Sequence, residues 1–230
     1  MSSPEPRRPA GSDGAHIDPV LIDPVLLGPV LIDPVLLGPV LRAVAAAPST
    51  AVVLIDGPSG AGKSTLADAL VAAWPGALAP TLVRLDDIYP GWNGLAAGIE
   101  HVATHLLAPR RQGLPAAWQR FDWDRGEPAE WHPVDPSRPL VVEGCGALAG
   151  SLAHRGDIRV WLAADDSVRK ARALDRDGAT FRSHWDQWQG QWEAYRARED
   201  PERRATIRVD GTVRNEELRA ANVRELSPPD

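Results

Sequence analysis

The run from Val52 to Leu66, Val-Val-Leu-Ile-Asp-Gly-Pro-Ser-Gly-Ala-Gly-Lys-Ser-Thr-Leu, constrains this chain more than any other stretch. It reads as a buried strand, a glycine-rich turn and a helix start. Gly57, Gly62, Lys63 and Ser64 fill the pattern G-x-x-x-x-G-K-[ST]. In such a turn main-chain N–H groups cradle phosphates, the lysine reaches the β and γ oxygens, and the hydroxyl ligates Mg²⁺. The helix opening at Gly62 adds the partial positive charge of its N-terminus to the same anion. Gly57, Pro58, Ser59, Gly60, Ala61, Gly62, Lys63, Ser64 and Thr65 are therefore the expected nucleotide contacts. An incidental turn would not need an apolar strand before it and the amphipathic positions Leu66, Leu70, Val71 and Trp74 after it.

The 230 residues suit one α/β domain with a continuous core, preceded by a tail. A formal net charge of −6 argues against a general nucleic-acid binder, because tracking phosphates needs a basic excess. Cys145 is the only cysteine, which excludes an intrachain disulfide and fits a reducing, cytoplasmic compartment. Nothing in the sequence marks it as a catalytic thiol. Lys63 and Lys170 are the only lysines in a chain otherwise rich in arginine. A lysine kept in the loop against that bias reads as a requirement for a compact ammonium.

Residues 1–41 read as a disordered tail, and 42–226 as the folded domain. Residues 17–41 repeat a pentapeptide of the type Ile-Asp-Pro-Val-Leu or Leu-Gly-Pro-Val-Leu five times. The run is apolar, but Pro19, Pro24, Pro29, Pro34 and Pro39 would break a spanning helix, and Asp18, Asp23 and Asp33 would have to enter lipid. No membrane contact is expected. Only Pro39 to Ala47 is expected to form a short helix, with proline in its first turn. From Ala51 the pattern alternates strand and helix, which marks a parallel sheet with helices on both faces. Strands are expected near 51–56, 81–85, 139–143, 157–162 and 205–209. Helices are expected near 62–74, 93–108, 166–177, 181–198 and 214–222. Residues 109–138, rich in Pro, Trp and Arg, read as a long loop or small cap and as the place of substrate contacts.

In an open parallel sheet the carboxyl ends of the strands line the ligand crevice. Asp86, Asp87 and Glu143 fall there. One carboxylate can accept the proton of an attacking hydroxyl while another holds Mg²⁺ directly or through water. Asp87 also fits a plain turn or helix cap. Glu143 ends the apolar run Leu140 to Val142 and needs a partner such as a metal. After the fourth strand, Arg169, Arg172 and Arg176 fall on one helical face. They fit either a lid over about 165–182, closing on ATP phosphates, or a solvated face paired with neighbouring aspartates. Trp185, Trp188 and Trp192 have packing spacing. His101 and His105 share a face, but Val102 stands where a zinc-protease helix needs glutamate.

Taken together, 50–210 resembles the uridine kinase and phosphoribulokinase group of P-loop kinases. The strand, loop and helix of that group match 52–66. Its D-x-[hydrophobic]-Tyr matches Asp86 to Tyr89, its E-G matches Glu143-Gly144, and its arginine-rich lid matches Arg169, Arg172, Arg176 and Asp177, with Ala173 replacing one arginine. The Tyr-Asp-Phe nucleoside segment has a counterpart in Phe121-Asp122-Trp123, although the histidine and arginine expected beyond it are replaced by Asp124-Arg125-Gly126-Glu127. The resemblance implies a three-layer P-loop NTPase fold of the nucleoside kinase kind, with a central five-stranded parallel sheet. It also implies a kinase using ATP and Mg²⁺ on a small nucleoside-like or sugar-like hydroxyl compound. Lys63, Arg172 and Arg176 would act on the phosphates and Asp86 as base. Ser64, Glu143 and Asp86 would surround the metal. Asp87, Tyr89, Phe121, Asp122 and Trp123 would meet the acceptor. A P-loop ATPase or nucleotide switch acting on a protein partner is the alternative; no Asn-Lys-x-Asp or Leu-Ser-Gly-Gly-Gln motif supports the large families of that kind.

Overall fold

The computed structural model describes residues 34–212. The first copies of the repeat and the helix expected at 214–222 lie outside the described residues. In chain order the elements are α1 (Pro34–Ala45), β1 (Val52–Asp56), α2 (Lys63–Ala72), β2 (Thr81–Arg84), α3 (Leu95–His101), a π-helical turn (Val102–Leu107) and α4 (Ala108–Arg111). They are followed by β3 (Ala116–Asp122), β4 (Glu127–Val134), β5 (Leu140–Glu143), α5 (Gly150–Ala153), β6 (Ile158–Ala163), α6 (Asp166–Glu199), α7 (Pro201–Arg204) and β7 (Ile207–Asp210).

Five strands form one parallel sheet in the order β2-β5-β1-β6-β7. Because side chains alternate along a strand, each strand feeds two cores. Val53 and Ile55 pack with α1 and α2, through Val40, Val44, Leu66 and Leu70. Val52 and Leu54 face the opposite layer with Val102, Leu106, Leu152, Trp188 and Tyr195. This is the expected three-layer α/β arrangement. The register sets Ile55 beside Glu143 and Glu143 beside Arg84, so the carboxyl ends of three strands converge.

Two elements differ in extent from the sequence expectation, and a third divides where the sequence expects two helices. α1 starts at Pro34 and carries Pro39 inside it. The carbonyl that Pro39 leaves without a donor belongs to the first turn, a small loss. Leu36, Leu37, Val40, Leu41 and Val44 recruit the end of the repeat onto the sheet. The segment 109–138 contains an antiparallel hairpin, β3 on β4, rather than an irregular loop. Its register shifts between Gln119 and Phe121, where Ala129 and Glu130 of β4 bulge opposite the single residue Arg120 of β3. The hairpin is fastened to the helix below by the Gln119 N–H, which donates to His101 Nε2 at 3.0 Å. α6 is two helical arms joined at Gly178, whose φ of 65° and ψ of −146° leave the helical region. In a straight helix Arg169 and Trp192 would stand roughly 35 Å apart. Instead the Arg169 guanidinium is 5.3 Å from the Trp192 ring, so the second arm doubles back along the first.

Leu54 is fully buried between strands that carry the site. Leu54→Ala is expected to cost about 2–5 kcal/mol of unfolding free energy, from lost transfer energy and the cavity left behind. Urea unfolding of the variant checks this, and a loss under 1 kcal/mol would contradict the two-core packing.

Candidate active site

The phosphate-binding loop is built as its glycines require. Gly60 has φ +79°, and a Cβ there would collide with the main-chain oxygen of Arg169 in α6. Gly57 likewise lies against the main-chain oxygen of Leu162 at the end of β6. α2 begins at Lys63, directly after Gly62. Lys63 is buried, and its Nζ donates to the Pro58 carbonyl at 3.0 Å and approaches Cys145 Sγ at 3.6 Å. Burial works against the charge on Lys63, yet Cys145, Glu143, Asp86 and Asp56 together hold its pKa above the ordinary lysine value.

Asp56, the last residue of β1, joins three parts of the fold. Its Oδ1 accepts from the N–H of Gly57 at 2.7 Å and of Gly146 at 3.0 Å. Its Oδ2 accepts from the Leu148 N–H at 2.9 Å and the Tyr195 hydroxyl at 2.6 Å. Burial pushes its carboxyl pKa up, and the four donors oppose that rise. The start of the loop, the segment after β5 and the second arm of α6 thus meet on one fully buried carboxylate. Above the loop, Trp188 Nε1 donates to Ser59 Oγ at 3.0 Å.

A cavity of ≈ 40 Å³ lies on the loop, lined by Ser59, Gly60, Gly62, Lys63, Ser64, Thr65, Asp86, Cys145 and Arg176. That gathers most of the expected nucleotide contacts with Asp86 and Arg176. Behind it, Glu143 is 2 % exposed, and its Oε1 has no hydrogen-bond partner. Arg84 Nε stands 3.6 Å from that oxygen, too far for a hydrogen bond. Burial, with Asp86 nearby, pushes the Glu143 carboxyl up to about 7, while Lys63, Ser64 and Arg84 pull it back. A buried carboxylate oxygen without a donor is the condition that a hard cation relieves. Mg²⁺ keeps several waters and needs few protein oxygens, so Ser64, Glu143 and Asp86 form a fitting donor set.

The three arginines of the expected lid have different surroundings. Arg169 is enclosed: it pairs with Asp166 at 2.7 Å, bonds Gln189 Oε1 at 3.1 Å and lies over the Trp185 and Trp192 rings. The fold-back at Gly178 causes this by bringing the tryptophan arm over the residue. Arg172 donates to the carbonyls of Gly211 and Thr212, at 2.5 and 2.8 Å. Together with Val168, Asp175, Arg182 and Thr212, it borders an open hollow of ≈ 560 Å³. Arg176 alone of the three lines the phosphate cavity.

The acceptor side corrects one residue and ties down part of a second. Tyr89 is 1 % exposed, its hydroxyl donates to the Cys145 carbonyl at 2.6 Å, and its ring meets Trp188; it is core, out of reach of a substrate. Asp122 spends Oδ1 on the N–H groups of Asp124 and Arg125, at 3.1 and 3.0 Å, holding the hairpin turn. The resemblance places it on the acceptor, and its Oδ2, 3.7 Å from Arg120 Nη2, keeps accepting capacity for that role. Trp123 Nε1 donates to the Asp86 carbonyl at 2.8 Å, which fixes the hairpin tip beside Asp86. Trp123 packs edge-on to Phe121 and against Trp92, which stacks on Phe181 and His184 of α6. Asp87 is exposed in the turn after β2, with its pKa raised by partial burial and by Asp86.

Asp56, Cys145, Trp188 and Tyr195 were not singled out as site residues in the sequence. Asp56 carried a signal: it ends an apolar run as Glu143 does, and the same reasoning applies to both. Trp188 and Tyr195 carried none, since their role arises from the fold-back of α6.

No protein-family model matches the chain, and no curated protein matches it in sequence. Solved structures do. A possible uridine kinase from Bacillus stearothermophilus superposes with TM-score 0.57 at 17% identity, over 76% of this chain and 97% of that one. A candidate fructose transport system kinase from Silicibacter sp. TM1040 does so with TM-score 0.51 at 21% identity, over 75% and 98%. The chain shares the fold of these two structures, three α/β layers around a parallel sheet. No helix among the described residues is long and apolar enough to cross a membrane.

Removing Asp56 leaves buried donors unpaired, each costing about 1–3 kcal/mol. Asp56→Ala is therefore expected to lose about 3 kcal/mol or more, and Tyr195→Phe about 1 kcal/mol. Equal, small losses in both variants on denaturant unfolding would contradict the clamp.

Proposed function

We propose that this protein is an ATP-dependent small-molecule kinase that moves the γ-phosphoryl group to a hydroxyl. The observation that carries the reading is the single cavity in which Lys63, Ser64, Asp86 and Arg176 meet, with the donor-poor Glu143 behind it. A phosphate cradle alone would need no exposed carboxylate on its rim.

The triphosphate sits on the N–H groups of 57–65 and the α2 N-terminus, and Lys63 exchanges the Pro58 carbonyl for the β and γ oxygens. The base and ribose occupy the hollow beside Arg172 and Thr212, whose volume suits a nucleoside. Ser64, Glu143 and Asp86 would hold Mg²⁺, which when bound neutralises charge on the phosphate oxygens. Asp86 accepts the acceptor hydroxyl's proton as that oxygen bonds to the γ-phosphorus and the bond to the ADP oxygen breaks. Arg176 faces the charge that develops on the moving group. The α6 arms and Trp123 keep water from the γ-phosphoryl, which favours transfer over hydrolysis.

Asp86→Asn is expected to keep ATP affinity within about threefold while losing at least about 10² in kcat, the contribution typical of a positioned base. Turnover near that of the native protein would overturn the base assignment. Chelating Mg²⁺ with EDTA is expected to abolish acceptor-dependent ADP formation, and readdition of Mg²⁺ to restore it. Glu143→Gln should raise the Mg²⁺ concentration for half-maximal rate about tenfold or more. An unchanged Mg²⁺ dependence would remove Glu143 from the metal.

A further inference from the structure

The kinase reading leaves the charge of the acceptor open, and the ion pairs around Asp86 and Asp87 address it. The titratable groups that act most on Asp87 include Asp86, Arg84, Arg120 and, when protonated, His132. An acceptor bearing a phosphate or carboxylate would need one of those cations to turn toward it, because two adjacent carboxylates repel an anion. Neither arginine is placed to do so. Arg84 is committed to Asp68 and to Glu143. Arg120 stands opposite the β4 bulge at Ala129 and Glu130, a feature that re-aims side chains beside binding sites. It makes a two-point bridge to Glu130, Nε to Oε1 at 2.7 Å and Nη2 to Oε2 at 3.1 Å, and its Nη2 also stands 3.7 Å from Asp122. His132 bonds the same Glu130 at 3.2 Å and stacks on Trp118. Arg120 in turn drives the Glu130 carboxyl down to about 2, so the pair stays ionised across the physiological range. Beside Asp86 the hairpin offers the half-exposed face of Trp123, held in place by its indole N–H.

Resting on the kinase reading, we propose that the acceptor is an uncharged hydroxyl compound, carrying neither phosphate nor carboxylate. Glu130, at the β4 bulge, sets this selectivity by neutralising Arg120, the β3 cation whose charge acts on Asp87. The acceptor's apolar face lies on Trp123, and its hydroxyls donate to Asp86 and Asp87. Glu130 is a specificity residue: it touches no reacting atom and acts by withholding a guanidinium from anionic competitors.

The test compares neutral and anionic partners of one skeleton: ribose with ribose 5-phosphate, fructose with fructose 6-phosphate, and nucleosides with their 3′-monophosphates. Each is supplied with ATP and Mg²⁺ to the full chain, and kcat/KM is taken from acceptor-dependent ADP formation. The native protein is expected to favour the neutral member of the pair it uses by about tenfold or more, the scale of one charge-assisted hydrogen bond. Glu130→Gln should raise the anionic-to-neutral ratio about tenfold, and adding Arg120→Gln to that variant should cancel the gain. ATP affinity and thermal midpoint, measured on each variant, separate this shift from damage to the fold. Preference of the native protein for the anionic member, or an unchanged ratio in Glu130→Gln, overturns the inference and leaves the kinase reading standing. ADP formation that is the same with and without every acceptor overturns the kinase reading and the inference together.

Discussion

The carboxylate of Asp56 holds the site together. It has no solvent, so its stability depends on four donors drawn from three separate segments: the phosphate loop, the turn after β5 and the distal arm of α6. Ionised groups at such depth are costly unless satisfied, and a satisfied one specifies the arrangement of whatever satisfies it. The consequence here is positional. The loop cannot move away from β5, where Glu143 waits, nor from α6, where Trp188 meets Ser59, without leaving buried polar groups bare.

A second layer of order comes from the aromatic residues. Trp92 bridges the hairpin tip and α6, while Trp185 and Trp192 enclose Arg169 between the two α6 arms. Such rings bury large areas with fixed geometry. They make a rigid wall on one side of Asp86, and the phosphate loop makes the other. Catalysis by positioning and electrostatics needs walls of this sort more than it needs many reactive groups.

The sheet and its helices were legible because each signal was local: apolar runs of strand length, glycines at fixed offsets, and turn residues between them. The hairpin at 116–134 was not, because its strands alternate weakly, carry Pro128 and Pro133, and draw their order from packing on the π-helical turn. The site divides in the same way. Lys63, Ser64, Asp86 and Glu143 follow from the loop motif and from strand ends, which any parallel sheet brings to one rim. Arg169 and Tyr89 were misplaced because a helical face and a short motif say nothing of a fold-back at Gly178 or of depth below the surface. Asp122 has the right residue type, and the turn occupies one of its two carboxylate oxygens.

In the proposed reaction the γ-phosphoryl group goes to an organic hydroxyl and not to water. The most direct measurement follows the label from γ-³²P-ATP in the presence of Mg²⁺ and a panel of nucleosides and sugars. The label is expected to become covalently attached to an acceptor in equal amount to the ADP formed. Recovery of all the label as inorganic phosphate, whatever acceptor is present, would contradict it.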